Sequence, residues 1–290
     1  MSYPEYVSRE NGFKIAAIIT RTFAKTFYFA SRFLPKEKKS AAFSLYAVCR
    51  MSDESVDNNN SLDTVQRLKK IKENIYSIYN GAKPQNSIWM AFKDTVDKYK
   101  IPAQYFYELI EGMHMDLNKN RYENMEELYN YCYKVASVVG LIMLKVLGYK
   151  DSRAEQYAVN LGVAMQLTNI LRDIKEDFLR DRIYLPQDEL KMYGISEDNI
   201  SNEKIDENFR SFLKFKIDQA RQYYIRSEAG IKIISDVRSR LVILVMKELY
   251  SGILNSIEKN NYDVFSRRAH LNNVQKTIDV LKIIFRGEYL

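Results

Sequence analysis

Apolar residues recur along most of this chain at intervals of three and four positions, the period of a helix with one buried face. Segments of strict apolar–polar alternation, which are typical of half-buried strands, do not stand out. The 10 glycines and 5 prolines are few for 290 residues, so long uninterrupted helices are expected. The pattern predicts an all-α protein.

Prolines, glycines and polar clusters mark the expected helix boundaries. Clear helical patterns cover residues 8–32, 36–57, 125–147, 152–177 and 271–285, with two further helices between 205 and 259. A more exposed amphipathic helix should end near Gly81, and Gly148 is expected to cap the 125–147 helix. No linker or repeat interrupts the chain, and 46% of its residues are hydrophobic, so a single domain spanning residues 1–290 is predicted.

The most informative stretch is residues 161–177, LGVAMQLTNILRDIKED. On a helix, its polar positions are spaced four, three, four and four residues apart and therefore share one stripe: Gly162, Gln166, Asn169, Asp173 and Asp177. Apolar residues fill both flanks, so this stripe should face the interior of the protein. Buried carboxylates are costly unless cations or hydrogen-bond donors meet them, which predicts a polar ligand.

The 36–57 helix carries a matching stripe of Tyr46, Arg50, Asp53 and Asp57 on an otherwise apolar surface. Carboxylates one turn apart suit Mg²⁺, which keeps several waters and takes further ligands from substrate phosphates. Two such helices facing each other would hold a metal–diphosphate cluster and assist departure of the diphosphate.

Acidic pairs with the same spacing also occur where a solvated surface is the simpler interpretation, as at Glu123 and Glu127 or Glu203 and Glu207. A single pair is therefore weak evidence for a metal site. Two pairs at the polar ends of apolar helices, accompanied by an arginine and two amides, favour the metal–diphosphate hypothesis.

Charge and cysteine content limit the binding partners and the cellular compartment that the sequence predicts. The chain has a formal charge of +7, but its sequence shows no arginine-rich arm and no zinc-finger spacing, so a nucleic-acid partner is not expected. Cys49 and Cys132 lie in apolar helical context and are predicted to be buried free thiols of a reducing compartment. No signal peptide or apolar run of membrane-spanning length is seen, which predicts a cytoplasmic protein, soluble or peripheral on a membrane.

Three segments together resemble the squalene/phytoene synthase family, and within it the phytoene synthases. They are AKTFYFASRFLPKEKKSAAFSLYAVCRMSDESVD, ELIEGMHMDLNKNRYENMEELYNYCYKVASVVG and LTNILRDIKEDFLRDRIYLPQDEL. The resemblance implies an all-α isoprenoid-synthase bundle around a central apolar cavity. It also implies that Asp53, Asp57, Asp173 and Asp177 bind Mg²⁺, with Mn²⁺ as the alternative ion.

The resemblance assigns further residues to the site. Asn169 would assist the metal and Gln166 would lie beside it, while Arg50, Arg182, Tyr184 and the hydroxyl of Thr26 would contact substrate diphosphate. Tyr131 and Tyr250 would face cationic intermediates. Lys25 and Arg267 are weaker candidates for phosphate contacts.

The implied reaction is head-to-head condensation of two geranylgeranyl diphosphates to phytoene through a cyclopropylcarbinyl diphosphate, a step of carotenoid biosynthesis. The small Ser31 on the aromatic first helix favours this long substrate. The alternatives are the same chemistry on farnesyl diphosphate, giving dehydrosqualene, presqualene diphosphate or squalene, and a catalytically silent assembly factor. An apolar product favours peripheral membrane contact; the sequence leaves the docking surface, the terminal base and the oligomeric state open.

Overall fold

The helical periodicity of the sequence is realised along the chain in a computed structural model, which describes residues 7–56 and 61–290. Asp57 lies outside these residues, as do the side chains at positions 53–56, 61–63 and 273. Within the described part, the elements are helices joined by short loops, with two isolated bridges, Arg121 with Ile183 and Tyr149 with Ile234. The predicted all-α class is confirmed.

The first half of the chain contains α1 (Arg9–Phe23), α2 (Lys25–Ala30), α3 (Lys36–Val56), α4 (Ser61–Tyr79), α5 (Ser87–Tyr99), α6 (Ala103–Asn118), α7 (Met125–Cys132) and α8 (Val138–Leu147). The second half contains α9 (Arg153–Arg172), α10 (Ile174–Phe178), α11 (Gln187–Met192), α12 (Glu197–Ser201), α13 (Glu207–Ser227), α14 (Val237–Lys259) and α15 (Asn273–Arg286). Short 3₁₀ turns follow α2 and α13.

Side-chain caps explain several helix starts. Ser8, Asn86, Asn124, Asp206 and Asp236 each accept a hydrogen bond from a backbone N–H of the first turn that would otherwise lack a partner. At the other end of a helix, the backbone of Gly148 has a φ of 75°, as expected of the predicted glycine cap of α8.

Two predicted helices are each divided. The helix expected over residues 8–32 breaks at Ala24, whose backbone (φ −127°, ψ 59°) separates α1 from α2. The helix expected over 152–177 breaks at Asp173 (φ −107°, ψ 17°), which lies between α9 and α10. The apolar period continues across both breaks, which is why the sequence pattern did not indicate them.

The apolar 125–147 helix forms as α7 and α8 joined by a π-helical turn, Tyr133–Ser137. Among the described residues, Met125–Leu147 is the one helix long and apolar enough to cross a membrane by length and composition. Half of its most apolar window is buried inside the protein, as in the core helix of a globular fold.

α9 is the central element, because it packs against α8, α13, α14 and the π-helical turn. Gly162 permits a close approach between backbones: a Cβ atom at this position would lie 2.4 Å from the Cα of Ser137. The Ser137 hydroxyl also donates to the Val159 carbonyl across this contact, at 2.8 Å. The small residue that begins the polar stripe therefore sets the spacing between α9 and the π-helical turn.

A buried ion pair joins α11 to α13. Lys216 is 1% exposed and its Nζ lies 2.5 Å from an oxygen of Glu189 and 2.7 Å from Oε1 of Gln219. Gln219 in turn donates to the other Glu189 oxygen, at 3.1 Å. The carboxylate and the ammonium are thus both satisfied, as buried charges must be.

Candidate active site

A cavity of about 320 Å³ opens between α3, α6, α7 and the junction of α9 with α10. It is lined by Arg50, Met113, Asp116, Tyr131, Val135, Gln166, Asn169, Ile170, Arg172, Asp173, Asp177, Arg180, Arg182 and Tyr184. Eight of these were predicted as site residues from the sequence. The apolar members Met113, Val135 and Ile170 share this cavity with carboxylates and guanidinium groups.

The break at Asp173 does not disperse the polar stripe. Backbone hydrogen bonds continue across it, from the Asp173 N–H to the Asn169 carbonyl at 2.9 Å and from the Asp177 N–H to the Asp173 carbonyl at 2.8 Å. Gln166, Asn169, Asp173 and Asp177 therefore still line one cavity wall, although they belong to two helices.

Two arginines hold the carboxylate of Asp173. Arg172 donates to both of its oxygens, at 2.7 and 2.5 Å, and so does Arg268, at 2.7 and 2.8 Å. Burial alone would raise the pKa of Asp173, but the hydrogen bonds from these arginines hold the pKa below its usual value. The carboxylate is therefore ionised and already surrounded by positive charge.

Arg268 was missed by the sequence reasoning, which named the adjacent Arg267. The guanidinium of Arg267 instead donates to the side-chain oxygen of Asn260, at 2.6 and 3.1 Å. Arg268 lies in the irregular segment between α14 and α15, where no helical period indicates which arginine points inward. Only the path of this segment over the end of α9 distinguishes the two.

Asp177 has a different environment. No hydrogen bond or ion pair reaches its side chain from the part of the chain that the structure describes. Burial, and next the charge of Asp173, raise the pKa of Asp177 to about 7. A half-buried carboxylate without a protein partner among the described residues gains from a bound cation.

Asn169 adds a neutral oxygen to this wall. Its Nδ2 donates to Oε1 of Gln166 at 3.3 Å, while its Oδ1 is buried with no hydrogen-bond partner among the described residues. An amide oxygen and two carboxylates on successive turns are the hard oxygen ligands that Mg²⁺ prefers. The residues present therefore fit a divalent cation.

The acidic groups of this wall are few. Among the side chains that the structure describes, no group of three or more His, Cys, Asp or Glu is placed to hold a metal. The predicted partners Asp53 and Asp57 cannot be compared, because the side chain of the first and the whole of the second lie outside the described residues. The remaining metal ligands would come from that pair, from water or from substrate oxygens.

Arg50 brings α3 to the same cavity. Its guanidinium lies 4.8 Å from the ring centroid of Phe23 at the end of α1, a cation–π contact that orients the side chain. Asp53 follows Arg50 by three positions on α3, so the α3 backbone at Asp53 lies about one helical turn from Arg50.

A carboxylate and three tyrosines form the wall beside Arg182. Asp116 accepts hydrogen bonds from the hydroxyls of Tyr131, at 3.1 Å, and Tyr184, at 2.7 Å. The rings of these tyrosines stack with centroids 4.9 Å apart, and Tyr122 packs against both. Burial, with the charge of Asp116 second, raises the pKa of each of the two hydroxyls far above its ordinary value, so both remain protonated donors.

Asp116 was not assigned a role from the sequence. It lies near the end of α6, and the loop after α6 pairs with the loop after α10, where the Ile183 N–H donates to the Asn120 carbonyl at 2.9 Å. This pairing brings Arg182 and Tyr184 to Asp116, 66 and 68 positions earlier in the chain. No local sequence signal connects residues so far apart.

Tyr250, on α14, was predicted as a cavity tyrosine. It is half-buried, and burial raises the pKa of its hydroxyl, while Arg172, Asp173 and Arg268 act on it electrostatically. Tyr250 therefore lies beside the Arg172–Asp173–Arg268 cluster rather than among the residues that line the described cavity.

Thr26 and Ser31 also lie outside that lining. The Thr26 hydroxyl accepts a hydrogen bond from Lys276 of α15 at 3.3 Å, and Lys25 adds a second positive charge near it. Ser31 is fully buried at the end of α2, where its hydroxyl donates to the Tyr28 carbonyl.

Comparison with known proteins gives a consistent result. A family model described as squalene/phytoene synthase matches residues 20–275. The 15-cis-phytoene synthase of Synechococcus elongatus is 39% identical over 285 residues, covering 94% of this chain and 92% of that protein. Phytoene synthase 2 of Solanum lycopersicum is 39% identical over 88% of this chain and 84% of its own length.

Solved structures extend this agreement to the fold. A dehydrosqualene synthase superposes with a TM-score of 0.90 at 25% identity, covering 97% of this chain and 98% of that one. A squalene synthase from Alicyclobacillus acidocaldarius has a TM-score of 0.82 at 24% identity over 88% of this chain and 96% of its own. The fold and site define an all-helical prenyltransferase. The chain belongs to the squalene/phytoene synthase family.

Proposed function

We propose that this enzyme condenses two geranylgeranyl diphosphates head to head to give phytoene, by way of a cyclopropylcarbinyl diphosphate. The observation that carries the proposal is a cavity that joins Arg50 of α3 to Asn169, Asp173 and Asp177 at the junction of α9 with α10. The identity of 39% to phytoene synthases over most of the chain supports the choice of product.

We further propose that the site works with Mg²⁺, held by Asn169, Asp173 and Asp177 on one side and by Asp53 and Asp57 on the other. The bound ion would supply Lewis-acid stabilisation of the departing diphosphate. On the protein side, Arg50, Arg172, Arg180 and Arg182 line the cavity with permanent positive charge for the diphosphate oxygens.

The remaining residues orient the substrates and exclude water. The Tyr131 and Tyr184 hydroxyls are fixed by Asp116, so their stacked rings present a rigid wall. Such a wall stabilises a carbocation through its π-electrons and leaves no mobile hydroxyl to quench the cation. Gln166 and Thr26 are proposed as further polar contacts, and Tyr250 as a hydroxyl close to the Asp173 cluster.

The competing substrate is farnesyl diphosphate, which the structural similarity to a dehydrosqualene synthase brings into consideration. Sequence identity favours the longer substrate, since it is 39% to phytoene synthases and 25% to that structure. Both substrates require the same headgroup site and differ only in the apolar space beyond it.

Purified enzyme with Mg²⁺ should convert geranylgeranyl diphosphate to a hydrocarbon with the mass of phytoene. Chelation of the metal should abolish this turnover, and re-addition of Mg²⁺ or Mn²⁺ should restore it. Product from farnesyl diphosphate alone would establish the shorter chain length. Absence of product from either substrate, with or without NADPH, would favour the silent assembly factor instead.

Substitution of Ser31 by phenylalanine tests the chain-length hypothesis. If Ser31 borders the space for the prenyl chain, the larger ring should lower kcat/KM for geranylgeranyl diphosphate by about tenfold or more relative to farnesyl diphosphate. Ser77→Phe, at an exposed position of α4, is a control with the same change of side chain. An unchanged substrate ratio in Ser31→Phe would place the limiting wall elsewhere.

We propose that the chain acts as one domain and makes peripheral contact with a membrane, into which so apolar a product would pass. This last proposal requires a surface suited to lipid.

A further inference from the structure

α15 has two apolar faces, and only one of them is covered. Val280 and Ile283 are 5% and 4% exposed and belong to a buried cluster with residues of α14. Val274, Ile278, Leu281 and Phe285, spaced four, three and four positions apart, form a second face that we call the α15 apolar stripe. These four residues are between 45% and 85% exposed, so nothing in the described part of the chain covers the stripe.

An exposed stripe of this kind differs from scattered surface hydrophobics. Single apolar residues are common on any protein surface, but a continuous row of large ones along a helix marks a binding surface. α15 is otherwise well formed: Asn272 and Gln275 make a reciprocal capping box, and Gly287 ends the helix with a φ of 64°. The stripe is therefore displayed on a stable helix.

The charges beside the stripe indicate its partner. α15 carries three basic residues against one acidic residue. Two of the basic ones, Lys282 and Arg286, are exposed and make only long surface ion pairs, with Asp279 at 3.4 Å and Glu288 at 3.5 Å, which water and salt screen. Lys276 lies near Lys25, where α15 meets α2, and adds to the positive charge at the other end of the helix. A helix with an apolar stripe and basic flanks matches an anionic lipid surface.

Pairing with a second copy of the chain suits the stripe less well. A symmetric contact through α15 would bring two basic helices together in a protein whose formal charge is +7. An anionic bilayer would neutralise that charge and accept the apolar side chains.

We propose that α15 lies flat on an anionic membrane, with the α15 apolar stripe inserted at the level of the lipid headgroups. The inference rests on the proposed function for its purpose, because docking would hold the enzyme at the phase that supplies prenyl substrates and receives a hydrocarbon product. The surface itself is assigned from the exposed stripe and its basic flanks alone.

Cosedimentation with lipid vesicles tests the proposal. Wild-type enzyme should bind phosphatidylcholine vesicles that contain phosphatidylglycerol, and should bind neutral phosphatidylcholine vesicles more weakly. The double substitution Leu281→Ser with Phe285→Ser should lower the partition coefficient at least about tenfold, because two large apolar side chains no longer insert. Lys282→Gln with Arg286→Gln should lower binding to anionic vesicles about tenfold and leave neutral vesicles unaffected.

Matched controls lie elsewhere on the surface. Ile225→Ser removes a 56% exposed apolar residue of α13, and Lys69→Gln with Lys70→Gln removes two exposed charges of α4. Both should bind vesicles as the wild type does. An equal loss of vesicle binding in these controls, or no loss of vesicle binding in the α15 variants, would overturn the proposal.

Two further measurements separate the remaining outcomes. The wild type could instead be a dimer that does not bind vesicles and that dissociates when Leu281→Ser and Phe285→Ser are introduced. This result would make the stripe an interface between copies and would refute lipid docking. Turnover of detergent-dispersed geranylgeranyl diphosphate should be unchanged in the α15 variants. Vesicle binding without any turnover in the wild type would refute the proposed function while leaving the docking surface in place.

Discussion

Replacement of Asp177 by asparagine should abolish product formation and at the same time stabilise the metal-free enzyme. The carboxylate is half-buried without a hydrogen bond or ion pair from the described residues, and its pKa is raised to about 7. Loss of one anionic ligand should weaken metal binding and lower kcat/KM at least about a thousandfold, since a catalytic metal lowers the activation barrier by several kcal/mol.

The same substitution should raise the stability of the metal-free enzyme although it lowers activity, because burial favours the neutral form of the carboxyl group. Below the ordinary pKa of 3.8 the side chain is protonated in both folded and unfolded chains, and its contribution to stability is fully present. As the pH rises from there through about 7, the unfolded chain releases this proton first, and the free energy of unfolding falls. Asparagine cannot ionise, so the variant should avoid a loss on the order of a few kcal/mol above pH 7.

Thermal unfolding in EDTA, Mn²⁺ titration calorimetry and the hydrocarbon assay measure the three expected changes. Asp181→Asn is the control, because Asp181 lies four positions further on and is exposed, pairing with Arg121 at 3.1 Å. Removal of that surface pair should change stability by less than about 1 kcal/mol. An Asp177→Asn enzyme that retained turnover or wild-type Mn²⁺ affinity would contradict the proposed role.

The second large effect is expected at Gly162, where a single methyl group should destabilise the fold. In Gly162→Ala the new Cβ would lie 2.4 Å from the Cα and 2.6 Å from the N of Ser137. Both atoms belong to the backbone of the π-helical turn, so neither can move aside as a flexible side chain would. We expect a net loss of roughly 2–4 kcal/mol, after a gain of about 1 kcal/mol in helix propensity.

Gly140→Ala on α8 is the matched control. Its Cβ would meet the carbonyl oxygen of Ala158 at 3.1 Å, and the carbonyl carbon at 3.7 Å. The milder contact should nearly cancel the gain in helix propensity, leaving a change within about 1 kcal/mol. Denaturant unfolding of both variants measures the difference; equal stability of the two would contradict the spacing role assigned to Gly162.

The polar stripe of residues 161–177 could be identified from the sequence because helical spacing is a local property of the chain. Gln166, Asn169, Asp173 and Asp177 recur at helical intervals, and the backbone hydrogen bonds keep them on one wall even across the break at Asp173. The break itself was not predicted, because the apolar residues around it continue the helical pattern on both sides.

Contacts between distant segments were not predictable in the same way. Arg268 reaches Asp173 across 95 positions, and Tyr184 reaches Asp116 across 68. Each contact depends on the path of an irregular loop, and the sequence of such a loop has no helical periodicity from which its path could be predicted. The sequence reasoning therefore selected Arg267 instead of Arg268 and gave Asp116 no role.

The sequence by itself determined the all-α class, the polar stripe of residues 161–177 and the family, since these follow from local periodicity and from motifs contiguous in the chain. Only the tertiary structure decided that Asp173 is paired while Asp177 is not, and that one apolar face of α15 is covered while the other is exposed. Both distinctions are differences in burial and partners, which arise only when segments far apart in the chain pack together.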